Sequence, residues 1–314
     1  EQINRLVLVY PHLGRPSDLV RFDAGVRGDV LADFADRFYG DREPLLRVAL
    51  SRDARSLIVA AHHGAVDGLG LLGAAARVAG ISLDSSARGV GPTAQPKGFV
   101  RRSVGRVAAA VVHPPERFAA VGGRGSGDVL VERSLPETRP NSAALLTAST
   151  ETVRLWNTAR RARQLPGARP VVAMGLSRRP GSPPAAPDRD TAYARVPVAI
   201  IRTVEEARAV LATISPEPVI PETKAGGLGA LVGRVLSKRL GATVLVSNLG
   251  VVKGAVRVNF WPVPTGPSGV AIGLASTPET CTLTVRARGG SFSRAATEDL
   301  ANVAADALRR AANS

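Results

Sequence analysis

Short apolar runs alternate with helical patterns along the whole chain, and this alternation limits the fold more than any other feature of the sequence. Strand-like runs include RLVLVY at Arg5–Tyr10, SLIVAA at 56–61 and TLTVRA at 282–287. Amphipathic helices are predicted at Ser142–Gln164 and, near the end of the chain, at Arg294–Ala312. Strands and helices mixed in this way predict an α/β or α+β fold built in layers.

Shorter elements are predicted between these. A hairpin is expected where PLLRVAL at 44–50 and SLIVAA flank a short polar turn. Asp29 is predicted to be the N-cap of a helix over 30–39. Further helices are predicted at Val204–Ala212 and at 228–240.

The charge of the chain indicates an anionic partner. Lysine and arginine number 41 against 26 acidic residues, so the net charge is +15. The arginine pairs are scattered along the chain and aromatic residues make up only 4%, which argues against a nucleic-acid-binding module. A phosphate-bearing ligand or an acidic protein therefore fits the charge better.

Reactive metal-binding side chains are scarce. Cys281 is the only cysteine and there are four histidines, none spaced for a metal site, so neither a disulfide nor a metal cofactor is expected. No apolar run approaches the roughly 18 residues of a membrane helix, and no secretory signal is recognisable. The expectation is a cytoplasmic protein. Met174 is the only methionine, so Glu1 is not expected to be the natural translation start.

The densest cluster of reactive side chains is HHGAVDG at His62–Gly68, between the strand-like run SLIVAA and a short helix. Adjacent residues of a strand point to opposite faces, so His62 and His63 are expected to have different roles. One imidazole, with a pKa of about 6.5, can accept a proton from an attacking hydroxyl or amine at neutral pH. Asp67 can order the turn, and Gly68 allows close backbone approach. The alternative is a pair of hydrogen-bonded structural histidines.

A second pattern overlaps the first. Gly68, Gly70 and Gly73 match GxGxxG, which marks a dinucleotide site when it directly follows a strand. Here six residues separate the strand end from Gly68, and Asp84 follows Gly68 by only 16 residues, against the usual ~20. A small-residue helix that packs closely on a sheet explains the glycines more simply.

PLLRVAL followed by SLIVAAHHGAVDG resembles the core of the CoA-dependent acyltransferase superfamily, whose motif is HHxxxDG. That superfamily includes nonribosomal peptide condensation domains, wax ester synthases, polyketide-associated acyltransferases and chloramphenicol acetyltransferase. Later segments are similar in the same order: the helix start NSAALL at Asn141, PVVAMGLSRRP at 170–180, and SNLG at 247–250. The resemblance extends from about Asp29 to the end of the chain.

The resemblance implies an α/β (α+β) fold of two chloramphenicol-acetyltransferase-like lobes, each a mixed sheet flanked by helices, with a tunnel between them. The N-terminal lobe would cover 1–135 and the C-terminal lobe 136–314. Trp156 is expected in the core, and Trp261, beside prolines, on a loop near the tunnel or on the surface. Family members carry more sequence before the histidines, so the chain is expected to be trimmed or unusually compact. Ser142 stands where the family usually has Asp.

The resemblance also implies roles for the residues of the motifs. His63 would be the general base, with His62 structural and Gly68 packed closely against its surroundings. Asp67 would pair with Arg178 or Arg179. Candidates for binding substrate or stabilising an oxyanion are Ser247, Asn248, nearby backbone amides and Asn141.

The activity implied is transfer of an acyl group from acyl-CoA, or from the phosphopantetheinyl thioester of an acidic carrier protein, to a small-molecule alcohol or amine. No cofactor is bound. Two alternatives remain: a noncatalytic relative that binds a carrier protein or serves as a scaffold, and recruitment of the cleft for a cyclisation or epimerisation. The acyl group, the acceptor and the oligomeric state are not specified by the sequence.

Overall fold

The computed structural model describes residues 5–9, 20–36, 45–87, 105, 108, 112–136, 138–179, 191–197, 201–214, 216–217, 241–264 and 269–314. The helices within this part of the chain are α1 (Arg27–Asp36), α2 (Gly68–Ala79), α3 (Ser142–Ala159), α4 (Val204–Thr213) and α5 (Arg294–Ala312). The strands are β1 (Arg5–Val9), β2 (Val20–Phe22), β3 (Leu46–Ser51), β4 (Ser56–Ala61), β5 (Asp84–Ser85), β6 (Asp128–Ser134), β7 (Val171–Ser177), β8 (Thr191–Pro197), β9 (Val244–Lys253), β10 (Val258–Trp261), β11 (Val270–Ser276) and β12 (Cys281–Arg288).

Five strands form a mixed sheet in the order β10-β1-β4-β3-β2. β3 and β4 are antiparallel, as the predicted hairpin requires, whereas β1 runs parallel to both β4 and β10. Alternate residues of β4 lie on opposite faces of the sheet. Leu57 and Val59 pack in the cluster that contains α2, and Ile58 and Ala60 pack in the cluster that contains α1. The apolar run SLIVAA is therefore buried on both faces, and the sheet is covered by a helix on each side.

A second mixed sheet has the order β6-β12-β11-β9-β7-β8, with the short strand β5 paired to β9. Helices α3 and α5 pack against each other and bury their apolar faces with the strands of this sheet. Trp156 of α3 lies in this core, as expected, with its ring fully buried. The long helical periodicities of the sequence thus form the helical layer of the larger sheet.

Strands are exchanged across the lobe boundary predicted at 135/136. β6 precedes that boundary but pairs with β12, and β10 follows it but pairs with β1. Each sheet therefore contains a strand from the other part of the chain, and the boundary itself stays a prediction.

Several element predictions were wrong in detail. Asp29 is not the N-cap of α1: the helix begins at Arg27, continuous with a 3₁₀ turn at Ala24–Val26, and Asp29 lies in its first turn. Trp261 is not on a loop, because it is the last residue of β10 and is only 1% exposed.

The helix predicted at 228–240 lies outside the described residues. None of the described helices combines the length and the apolar character needed to cross a bilayer.

Candidate functional site

A cleft of about 540 Å³ opens where the two sheets meet, and most residues singled out in the sequence lie on it. The smaller sheet contributes the turn between β4 and α2, and the larger sheet contributes β7, β8 and β9. Apolar side chains such as Met174 and Leu245 form much of the wall. The predicted site residues that line the cleft are His63, Asp67, Gly68, Asn141, Ser247 and Asn248.

The two adjacent histidines have different environments. β4 ends at Ala61, so both belong to the turn that follows it. The Nδ1 of His62 accepts a hydrogen bond of 3.1 Å from the backbone N–H of Gly64, and His62 is not among the residues of the cleft. His63 lines the cleft, where its Nε2 is hydrogen-bonded to the hydroxyl of Tyr193. The imidazole of His62 is thus hydrogen-bonded within its own turn, whereas the imidazole of His63 faces the cavity.

Asp67 holds the end of this turn in two ways. Its Oδ1 accepts a hydrogen bond of 2.7 Å from the backbone N–H of Gly70, which makes it the N-cap of α2. The same oxygen lies 2.7 Å from a guanidinium nitrogen of Arg179, which follows β7. The side chains of Asp67 and Arg179 are only 4% and 12% exposed, so this ion pair joins the motif to the larger sheet in a largely dry environment.

The neighbouring Arg178 takes no part in that pair. Its side chain is half-buried, and its Nε is buried without a hydrogen bond to any residue that the structure describes. Neither Arg178 nor Arg179 is on the surface of the cleft. Of the two arginines considered from the sequence, Arg179 is therefore the one in contact with Asp67.

Gly68 lies at a crowded point between the sheets. A Cβ at this position would come within 2.9 Å of the side chain of Leu249 and 3.2 Å of that of Phe260. Gly70 and Gly73 are buried within α2 rather than in a turn ahead of it. Gly68 thus allows the close approach of the helix start to Leu249 and Phe260, and the N–H of Gly70 is already used by Asp67.

The opposite wall combines the start of α3 with β9. Asn141 is the N-cap of α3, and its Oδ1 accepts a hydrogen bond of 2.9 Å from the N–H of Ala144. The amide nitrogen of Asn248 lies 3.3 Å from the hydroxyl of Ser142, and its Oδ1 accepts from the N–H of Gly250 at 2.8 Å. Ser142 is thus a partner of Asn248. These amide and hydroxyl groups, with that of Ser247, are the polar part of this wall.

Tyr193 is a cleft residue that the sequence analysis missed. It lies on β8, 130 residues after His63, in a segment whose alternation of small and polar residues indicates only a strand. The ring centroids of His63 and Tyr193 are 6.0 Å apart at an interplanar angle of 63°. No local motif contains Tyr193, so only the pairing of β8 with β7 brings it to the site.

Solved structures share this arrangement of two sheets. The cyclization-docking bidomain of the EpoB nonribosomal peptide synthetase from Sorangium cellulosum matches with a TM-score of 0.53 and 16% identity, over 98% of this chain and 70% of that one. The starter condensation domain of rhizomide synthetase, in complex with C8-CoA and Leu-SNAC, matches with a TM-score of 0.52 and 12% identity, over 98% and 77%. This chain has the condensation-domain fold.

The resemblance to the CoA-dependent acyltransferase superfamily is thereby confirmed at the level of the fold, as is the predicted α/β fold of two mixed sheets flanked by helices. A condensation domain that mediates chain release from the enacyloxin polyketide synthase also matches, with a TM-score of 0.50 and 14% identity over 98% of this chain and 68% of that one. By sequence, no family model and no curated protein matches.

Proposed function

We propose that the chain is a condensation-like acyltransferase that moves an acyl group from a thioester to a hydroxyl or amine acceptor, with His63 as general base. The observation that carries the proposal is the position of His63 in the cleft, where its Nε2 is within hydrogen-bonding distance of a hydroxyl group. A general base must reach the proton that it removes, and an imidazole is suited to do so near neutral pH.

In the proposed reaction, the acceptor donates its hydrogen bond to the neutral Nε2 of His63. As the acceptor oxygen or nitrogen attacks the thioester carbonyl, a C–O or C–N bond forms and the proton passes to Nε2. The tetrahedral intermediate then collapses, the C–S bond breaks, and the departing thiolate takes the proton from the imidazolium. Proton transfer of this kind contributes about 10²–10⁴-fold to the rate.

The other residues of the cleft have supporting roles in this proposal. The Asp67–Arg179 pair keeps the turn in place, so that the His63 ring stays at the cleft. The hydroxyl of Ser247 and the amide groups of Asn248 and Asn141 are the candidates for donating hydrogen bonds to the oxyanion of the intermediate. His62 is structural, since its ring accepts from the backbone of its own turn.

The donor is proposed to be acyl-CoA or an acidic carrier protein with a phosphopantetheinyl thioester. The net charge of +15 attracts either one. Arg139 lies at the cleft, and its hydrogen bonds go to the backbone carbonyls of Pro136, Thr138 and Pro278. Because those acceptors are neutral, its positive charge adds to the attraction for an anionic donor.

The test compares His63→Ala with His62→Ala in the full-length protein. Each protein is incubated with a panel of acyl-CoAs and acyl-carrier proteins and with mixed alcohols and amines, and products are measured by mass spectrometry. We expect acceptor-dependent loss of the thioester in the wild type, a decrease of about 10²–10⁴-fold in His63→Ala, and most of the rate retained in His62→Ala. Unchanged turnover in His63→Ala would exclude the mechanism. Thioester binding without turnover in every protein would favour a noncatalytic relative.

A further inference from the structure

The Tyr193 hydroxyl occupies the position on His63 that the proposed reaction needs. A neutral imidazole has one acceptor nitrogen, with a single lone pair in the ring plane. If Nε2 is that acceptor, it can take a hydrogen bond from the phenol of Tyr193 or from an acceptor substrate, but not from both. The contact between Tyr193 and Nε2 is therefore incompatible with the first step of transfer.

We propose that Tyr193 is a gating residue. In the resting protein its hydroxyl is hydrogen-bonded to Nε2 of His63, and this hydrogen bond breaks when the acceptor binds to Nε2. The inference rests on the proposed function, because it assigns Nε2 to the acceptor. It also predicts a specificity filter: an acceptor must donate a hydrogen bond to Nε2 strongly enough to displace the phenol.

The position of Tyr193 allows such a displacement. β8 is the last strand in the order of the larger sheet, so within the described residues it is paired on one side only, with β7. Across that pair, Tyr193 lies opposite Gly175, which has no side chain and also lines the cleft. The ring of Tyr193 is half-buried and borders the open volume. The residue directly opposite on β7 therefore places no side chain beside the ring.

The first experiment measures the reactivity of His63 without using transfer activity. Diethyl pyrocarbonate converts a neutral imidazole to its N-carbethoxy derivative and releases ethanol and CO₂. At pH 8, above the ordinary titration range of imidazole, we expect carbethoxylation of His63 to be about two- to tenfold faster in Tyr193→Phe, the factor equivalent to one neutral hydrogen bond. Thr191→Val is the matched control, because Thr191 lines the cleft from the same strand but donates to Leu176. Peptide mass spectrometry locates the modification, and an equal or slower rate in Tyr193→Phe would overturn the proposal.

The second experiment measures transfer. With the acceptor varied, Tyr193→Phe should lower KM by a similar factor and keep kcat. A lower kcat at unchanged KM would overturn gating and make Tyr193 a participant in transfer. Faster carbethoxylation with no transfer by any variant would sustain the blocking contact but refute the proposed function.

Discussion

The carboxylate of Asp67 makes two stabilising contacts at the junction of β4 and α2. It caps α2 through the N–H of Gly70 and pairs with Arg179 from the other sheet, both at 2.7 Å. We expect Asp67→Ala to lower the free energy of unfolding by about 3–5 kcal/mol, because the substitution removes the carboxylate that lies 2.7 Å from the largely buried guanidinium of Arg179. Asp67→Asn should lose about 1 kcal/mol less, since Asn also caps a helix. Urea unfolding measures both.

Arg178→Ala is the matched control for this ion pair. Arg178 adjoins Arg179 in the sequence, yet no ion pair of Arg178 is present among the described residues. Its replacement should change the free energy of unfolding by less than about 1 kcal/mol. Equal losses in Arg178→Ala and Asp67→Ala would mean that the Asp67–Arg179 contact adds nothing specific to stability.

Candidate site residues could be identified from the sequence where they lie close together along the chain. Side-chain alternation along a strand predicted different roles for His62 and His63, but both residues lie in the turn after β4, so their different environments come from the turn. The acid in the same turn indicated an ordering role for Asp67. Tyr193 could not be found in this way, because its relation to His63 depends on strand order in a sheet, which leaves no local pattern. The choice between Arg178 and Arg179 likewise depended on the geometry at the end of β7.

Among the elements, α1 is joined to the larger sheet by a buried network of charges. The side chain of Arg286 on β12 is 1% exposed, lies 2.7 Å from the carboxylate of Asp128, and donates to the carbonyl of Ala35 in the last turn of α1. The carboxylate of Asp36 accepts a 2.8 Å hydrogen bond from the N–H of Asp128. The end of α1 is therefore held against β6 and β12 by polar contacts.

This network predicts a pH dependence of stability. Burial, with a further contribution from the charge of Asp128, raises the pKa of Asp36 above its ordinary value of 3.8, although the hydrogen bond from Asp128 and the charge of Arg286 oppose the shift. A carboxyl whose folded pKa is raised stabilises the fold at low pH and loses that contribution as the pH rises through the folded pKa. Asp36→Asn mimics the protonated form and keeps an acceptor for the N–H. We expect it to unfold at higher urea concentration than the wild type at pH 7, with the difference decreasing toward pH 3.8.

Asp53→Asn is a control of opposite sign. The hydroxyl of Ser51 and the N–H of Arg55 donate to its carboxylate and lower the pKa of Asp53. Its contribution to stability is present at neutral pH and is lost as the pH falls through the folded pKa. Asp53→Asn should therefore be less stable than the wild type at pH 7. If Asp36→Asn were also less stable than the wild type at pH 7, the assignment of the shift at Asp36 to burial would be wrong.

Element boundaries were predicted well where periodicity was strong and poorly where tertiary pairing decides. The hairpin of β3 and β4 and helix α5 follow the sequence pattern closely. Trp261 was misplaced because the prolines that follow it indicate a loop, whereas β10 pairs with β1 from the start of the chain. Asp29 was misplaced because an acid in the first turn and an acid at the N-cap are both favourable, and only the backbone distinguishes them.

On the scale of the whole molecule, the exchange of β6 and β10 between the two parts of the chain couples the two sheets. The exchange could not be predicted from the order of the elements, since neighbouring elements usually pair with each other. Each sheet needs a strand from beyond the predicted lobe boundary to complete its hydrogen bonds. The two sheets should therefore unfold together, although proteins with two lobes often unfold in steps.

The two tryptophans make this cooperativity measurable, because each lies in the core of one sheet. Trp156 is fully buried in the cluster of the larger sheet, and Trp261 is buried with α1 against the smaller sheet. Trp261→Phe leaves a reporter of the larger sheet, and Trp156→Phe leaves a reporter of the smaller one. In urea we expect the fluorescence transition of each variant to coincide with its own far-UV circular dichroism transition. If the two probes separated in either variant, that sheet would unfold independently, and the lobes would be separable units despite the exchanged strands.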